Sequence, residues 1–183
     1  MVRSDGGKQV AVLTYTGADL TGVSYPAGTG KAGNGTALPI ARNPTGATTS
    51  LGWSFPSGGA LSDLVVRSQS GRVLSDNVTN VSTTTSSKYT YDSVGRLTGA
   101  TIPGHTLTYA FAATGGCGVN TRAGADGNRT ATLDTPTSGT VTGRSLCYDN
   151  ADRLTATTVT NPPTRGDADH RDEPDRGHPG GRR

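Results

Sequence analysis

The sequence predicts an all-β chain: tandem β-hairpins joined edge to edge in an open, spiralling antiparallel sheet, followed by a disordered charged tail. Three observations predict it. Among 183 residues there are 27 glycines and 10 prolines, and hydrophobic residues make up 31%. Glycine costs backbone entropy in a helix and proline removes a donor, so long helices are disfavoured. So low an apolar share suits thin strand layers that bury one face each, not a thick core. The second observation is an internal repeat with a period near 25 residues, and the third is an abrupt change of composition after Asn161-Pro162-Pro163.

The repeat is clearest at Tyr91-Asp92-Ser93-Val94-Gly95-Arg96-Leu97-Thr98, which returns as Tyr148-Asp149-Asn150-Ala151-Asp152-Arg153-Leu154-Thr155. Weaker copies are Gly71-Arg72-Val73-Leu74, Gly127-Asn128-Arg129-Thr130, Asn43-Pro44-Thr45-Gly46 and Tyr15-Thr16-Gly17-Ala18-Asp19. With the glycine or aspartate as marker, the units stand at 19, 46, 71, 95, 127 and 152. The long step before 127 is assigned to an added loop around Thr114-Gly115-Gly116-Cys117-Gly118. A fixed period of this size is the mark of a stacked repeat architecture.

Each part of the unit has a physical reason. Tyr89 and Tyr91 lie two apart, which puts both rings on one side of a strand. In Asp92-Ser93-Val94-Gly95, the aspartate can cap its own backbone and the glycine permits positive φ, so this is a turn. Arg96-Leu97 to Ile102 then reads as the return strand. A lone hairpin is only marginally stable, so successive hairpins must pair with one another. The expected organisation is a ragged start over 1–9, about six units over 10–160, and a tail over 161–183.

The Tyr-Asp-x-x-Gly-Arg-Leu-Thr signature resembles the tyrosine-aspartate (YD) repeat of bacterial rearrangement-hotspot (Rhs) and wall-associated proteins, related to the teneurins of animals. The resemblance covers about residues 10–160 and is strongest at 91–98 and 148–155. Ile102-Pro103-Gly104-His105 and Asp126-Gly127-Asn128-Arg129-Thr130 are similar to actinobacterial members. It implies a structural strip of sheet at the cell surface or outside the cell, winding into a shell that encloses or presents a C-terminal toxin. Its partners would be neighbouring repeats or missing shell segments, a toxin cargo, and cell-wall glycans. The repeat residues carried by the resemblance are Tyr91, Asp92, Gly95, Arg96, Leu97, Tyr148, Asp149, Arg153 and Leu154. The family's Asp-Pro-x-Gly-rich cleavage segment is not in this sequence, so the likeness is to wall and not to cargo.

Net charge is +3, and much of the charge is mixed in sign within the last twenty residues, which reads as a solvated tail and not as a nucleic-acid surface. Thr164 to Arg183 has no aromatic and no aliphatic residue larger than alanine. Such a segment cannot offset its ordering entropy, and its vocabulary fits a GC-rich gene read out of frame. Within it, Arg165-Gly166-Asp167 is an adhesion tripeptide better explained by chance. No apolar h-region opens the chain and no membrane span is expected.

Cys117 and Cys147 are compatible with one disulfide or with two free thiols, and no metal or other cofactor is expected. No catalytic set emerges, so no enzyme activity is expected: His105 reads as a strand-end residue, and no G-x-S-x-G elbow is present. Gly28-Thr29-Gly30-Lys31 reads as a flexible hairpin loop, not a phosphate loop. Asp92 and Asp149 read as turn residues, not as a carboxylate pair. Arg96 and Arg153 are expected along the sheet, against the aspartate of a neighbouring turn. Trp53, Phe55, Tyr91, Tyr109 and Tyr148 are candidate sugar-stacking rings, with packing against one another as the plainer reading. The N-glycosylation triplets at Asn77, Asn80 and Asn128 carry little weight in so Thr-rich a sequence.

Overall fold

The computed structural model describes residues 1–161 apart from 113 and 115; the expected disordered tail beyond Asn161 lies outside the described residues. Those residues form strands and connecting turns with no helix, as expected for an all-β hairpin array. The chain divides into two compact units, Met1–Tyr109 and Ala110–Arg183.

The first unit is an open antiparallel meander of ten strands. In order they are β1 (Val2–Asp5), β2 (Lys8–Thr16), β3 (Asp19–Ser24), β4 (Ala37–Arg42), β5 (Thr48–Ser54), β6 (Ala60–Arg67), β7 (Val73–Asn80), β8 (Thr83–Tyr91), β9 (Leu97–Ile102) and β10 (His105–Ala110). Each pairs with its sequence neighbour. The ragged start expected over 1–9 is instead ordered: β1 pairs with β2 across Gly6-Gly7, whose φ angles are +53° and +76°. Two consecutive positive-φ residues are what a tight hairpin turn demands, and Gly-Gly meets that demand without steric cost.

Register divides the first unit into two unlike faces. Leu13 faces Val23, Val23 faces Leu38, Ile40 faces Leu51 and Trp53 faces Leu61. Tyr89, Ala100 and Leu107 continue this apolar face. The other face carries Thr14, Gly22, Ser50, Ser75, Asn77, Thr84 and Thr90. Its few large apolar residues lie open, Leu64 at 48% and Val66 at 45% exposure.

The second unit contains β11 (Ala131–Pro136), β12 (Thr142–Tyr148) and β13 (Leu154–Thr160), again antiparallel in sequence order. The inserted loop before β11 folds back on β12: Cys117 N–H donates to Leu146 O at 3.3 Å and Tyr148 N–H to Cys117 O at 3.0 Å. Cys117 and Cys147 form a disulfide, which answers the thiol question. Asn161, placed in the tail by composition, bonds to Val141 through its amide and to Thr142 through its carbonyl. All seven residues of β13 are exposed, and among the described residues its outer edge has no partner strand.

Buried residues are few and mostly small: among the described residues they are Ala11, Thr36, Ala100, Ala123, Gly124, Thr130 and Cys147, with Tyr148 the one large side chain. One buried face per sheet yields little hydrophobic stabilisation per ordered residue, and open edges add risk of strand pairing between chains. The isolated chain should therefore melt at modest temperature and associate on concentration. Calorimetry of dilute monomer checks this; a cooperative transition at high temperature would contradict it.

Candidate functional site

The most highly organised feature is the turn unit. Asp92 N–H donates to Arg96 O and Gly95 N–H to Asp92 O, each at 3.0 Å. The Asp92 carboxylate accepts from inside this loop: Oδ1 takes the N–H groups of Val94 (3.1 Å) and Arg96 (2.8 Å), and Oδ2 takes Arg96 Nε at 2.7 Å. Asp149 repeats the arrangement with Ala151, Arg153 and Asp152. Asn43 repeats the backbone part with Thr45 and Ala47, and Ser68 does so more loosely with Arg72. Four of the six expected markers thus share one geometry.

The other two differ for local reasons. Asp19 follows a two-residue Gly17-Ala18 turn, which is too short to hold a capping carboxylate. Gly127 lies in a loop that closes on Ala123, to which Asn128 N–H donates at 2.9 Å. Arg96 and Arg153 pair with the aspartate of their own turn, four residues back, not with that of a neighbouring turn. The backbone geometry of the loop brings donor and acceptor together, so the pair is local.

The fourth turn position requires positive φ. Gly46, Gly71 and Gly95 adopt +82°, +82° and +89°, and Asp152 adopts +59° in their place. The cost of that conformation for a side-chain-bearing residue is offset by two bonds. The amides of Asn120 and Asn128 each donate to Asp152 Oδ1 at 2.8 Å.

Just before each turn, one side chain reaches back about one repeat. Tyr91 donates its hydroxyl to Val73 O at 2.9 Å, and Tyr148 donates to Arg129 O at 3.0 Å. Arg42 and Arg67 occupy the same position in their units and reach Leu20 O and Thr48 O, each at 3.4 Å. Both also donate to the turn carbonyl of their own unit, Gly46 O and Gly71 O. The tyrosine of the motif is therefore a tie between repeats. The equivalence of arginine with tyrosine here is invisible to residue matching.

Leu97 and Leu154 open their return strands opposite Tyr91 and Tyr148. Leu97 is half-buried, whereas Leu154 is 54% exposed, because among the described residues no strand follows β13.

The Asp92 carboxyl is held below its ordinary value. Burial pushes it up, but the bonds and charge of Arg96 and the Gly95 N–H outweigh that. Asp149 is held down by the Arg153 N–H and guanidinium, against burial and with the Ala151 N–H and the Arg153 charge. Both groups favour the fold above the ordinary carboxylate range and lose that contribution as pH falls through the lowered values. Asp92→Asn should keep the backbone caps, as Asn43 does, and lose the ion pair. Asp92→Ala should lose both, so its thermal midpoint should fall further, and both variants should show weaker dependence on acid than the parent.

Of the hollows on the apolar face of the first unit, two are lined by aromatic rings. One, of about 460 Å³, is lined by Tyr25, Trp53, Phe55, Asn34, Thr36 and Gly33, with Val10 and Ala32. Its rim is the 25–36 loop, which sequence reading treats as flexible and the structure ties down. Gly33 N–H donates to Pro26 O, Gly35 N–H to Tyr25 O, Ala32 N–H to Gln9 O and Thr36 N–H to the Asn34 side chain. Lys31 Nζ also bonds Gln9 Oε1. A Cβ at position 33 would strike the backbone of Tyr25 and Pro26, so only glycine lets the loop fold this tightly. The second hollow, about 320 Å³, is lined by Tyr89, Tyr91, Leu97, Val65, Val73, Arg67 and Asp76.

The candidate sugar-stacking rings are thus separated. Trp53 and Phe55 share the first hollow, Tyr91 lies in the second, and Tyr148 is buried in the second unit. Tyr109 falls in β10, and His105 sits exposed at the start of the same strand, as expected for a strand-end residue. Tyr25, Asn34 and Thr36 were not singled out by sequence, because the loop that assembles them is defined only by its tertiary bonds. No cluster of three or more metal-ligating side chains occurs among the described residues. No protein-family model matches the chain, and no curated protein matches it significantly.

Proposed function

We propose that this chain is a structural segment of an Rhs/YD-repeat wall, which in its full setting encloses or presents a toxin at the cell surface, and that it performs no catalysis itself. The observation that carries this reading is the turn-and-tie unit at 92–96 and 149–153. Its polar groups are consumed in holding hairpin to hairpin: the carboxylate by its own turn, the hydroxyl by the preceding repeat. Groups so engaged serve construction, and a strip built from them propagates by nearest-neighbour contacts. The test is electron microscopy of a longer natural chain carrying this array. A hollow particle with a β-sheet wall is expected; a solid globular domain would overturn the reading.

A second reading, from another class, is favoured by the hollow of Trp53, Tyr25 and Phe55: a carbohydrate-binding module for cell-wall glycans. Three aromatic rings supply faces for stacking, Asn34 and Thr36 supply polar edges, and no charged side chain lines the space, which suits a neutral sugar. Saturable binding on a glycan array, lost in Trp53→Ala and kept in Tyr91→Phe, is the expected result of this reading. Absence of saturable binding would remove it and leave the wall reading intact.

A further inference from the structure

Two aspartates interrupt the apolar face of the first unit. Asp63 in β6 faces Val78 in β7, and Val65 faces Asp76, so the two carboxyl groups occupy diagonal positions on one side of the sheet. Oδ1 of each is closed to solvent and has no hydrogen-bond partner among the described residues. An ionised carboxylate only accepts hydrogen bonds, so two facing carboxylates cannot satisfy one another unless one carries a proton.

The surroundings supply no substitute. A further hollow of about 210 Å³ lies beside Asp63, and from β5 Thr48 and Leu51 line it, neither of them titratable. From β8, Ser87 lies across from Asp76, and Tyr89 and Tyr91 line the space beside it. Arg67 of β6 is the cation lining these hollows, and its guanidinium is bonded to the carbonyls of Thr48 and Gly71.

We propose that Asp63 and Asp76 form a carboxyl–carboxylate pair sharing one proton, which makes the β6–β7 seam a pH-responsive junction within the array. With the proton in place the pair is a hydrogen bond across the seam. With both groups ionised it is a like-charge contact on an apolar surface, and the seam loosens. Burial, then the hydrogen bond and charge of Asp76, hold the Asp63 carboxyl above its ordinary value, in keeping with this geometry. The sign is opposite to that of the turn aspartates. A raised carboxyl disfavours the fold as pH climbs through the raised value, and the penalty is absent below the ordinary value. The seam joins seven paired positions in the middle of the first unit, so its loosening would divide the sheet into two strips.

Carbon-13 NMR of the two carboxyl carbons in the whole chain tests the pairing directly. Two separated steps are expected, one clearly above about 3.9, the unperturbed aspartate value. Two coincident steps near that value would overturn the proposal. Hydrogen exchange at β6–β7 amides, corrected for intrinsic rates, should lose protection as pH rises through the upper step. The loss should approach about tenfold for each pH unit separating that step from the ordinary value. Asp76→Asn should lower the raised step of Asp63, leaving only the part due to burial, and should shrink the loss of protection and raise the thermal midpoint at pH 7 more than at pH 4. An equal fall in midpoint at both pH values would contradict the proposal, and the parent titration decides the matter if the variant does not fold.

Discussion

Breaking the Cys117–Cys147 bond is expected to cost the second unit about 3–4 kcal/mol, the loop-closure value for a cross-link spanning this separation of 30 residues. The bond works beside a modest set of polar contacts that tie the loop down. Among the described residues four backbone bonds attach it to β12, from Cys117 to Leu146, from Tyr148 to Cys117, from Asn120 to Tyr148 and from Leu146 to Thr130. The insertion also carries Ala123, which is 1% exposed and is among the few buried residues of the unit. Losing the bond frees the loop and uncovers Cys147 and Tyr148 together. Cys117→Ser with Cys147→Ser, or reduction of the parent, should abolish protection of β12 amides while leaving β1–β9 protected in hydrogen exchange. Uniform loss across both units would show that the disulfide supports more than its own unit.

Tyr148→Ala should be at least as damaging, at about 3–5 kcal/mol by analogy with other buried aromatic truncations. Tyr148 is 8% exposed, and its hydroxyl supplies a hydrogen bond to Arg129 O. Tyr148→Phe removes that bond alone and should cost about 1 kcal/mol. The gap between the two variants separates the ring's packing from the tie. At Tyr91 the gap should be smaller, because its ring is half-buried beside a hollow and covered by the Arg72 guanidinium, 5.9 Å from its centroid. Chemical denaturation of the four variants checks the ordering. Because Cys147 and Tyr148 are adjacent, combining either tyrosine change with reduction should give less than the sum.

The sequence made the turn unit legible because its chemistry is local. Asp92, Gly95 and Arg96 meet within five residues, and their roles follow from capping, positive φ and charge without knowledge of the sheet. The same holds for the meander, since short hairpin connections leave few other pairings. What the sequence hid depends on register. Asp63 and Asp76 look like ordinary polar positions until β6 and β7 are aligned and both fall on the apolar face. Arg42 and Arg67 share no side-chain chemistry with Tyr91, and only their reach to carbonyls near the preceding turn reveals one position. The segment Met1 to Gln9 reads as irregular because most of it is polar, although Gly6-Gly7 carries the hairpin signal. The Tyr25–Trp53–Phe55 hollow depends on a loop whose path is fixed by bonds to β2, which no local pattern announces.

If turn, carboxylate cap and backward tie form one repeating unit that extends a sheet by nearest-neighbour contacts, the chain must accept a duplicated unit. A second copy of residues 68–91, inserted between Tyr91 and Asp92, adds one capped turn, one two-residue turn, two strands and one tie in frame with the existing geometry. Thermal melting and circular dichroism of the extended chain beside the parent give the answer. The expected result is a folded protein with more strand signal and a midpoint equal to or above that of the parent. A lower midpoint, or loss of the folded state, would mean that the hairpins are held by contacts specific to their places in this chain and are not interchangeable units.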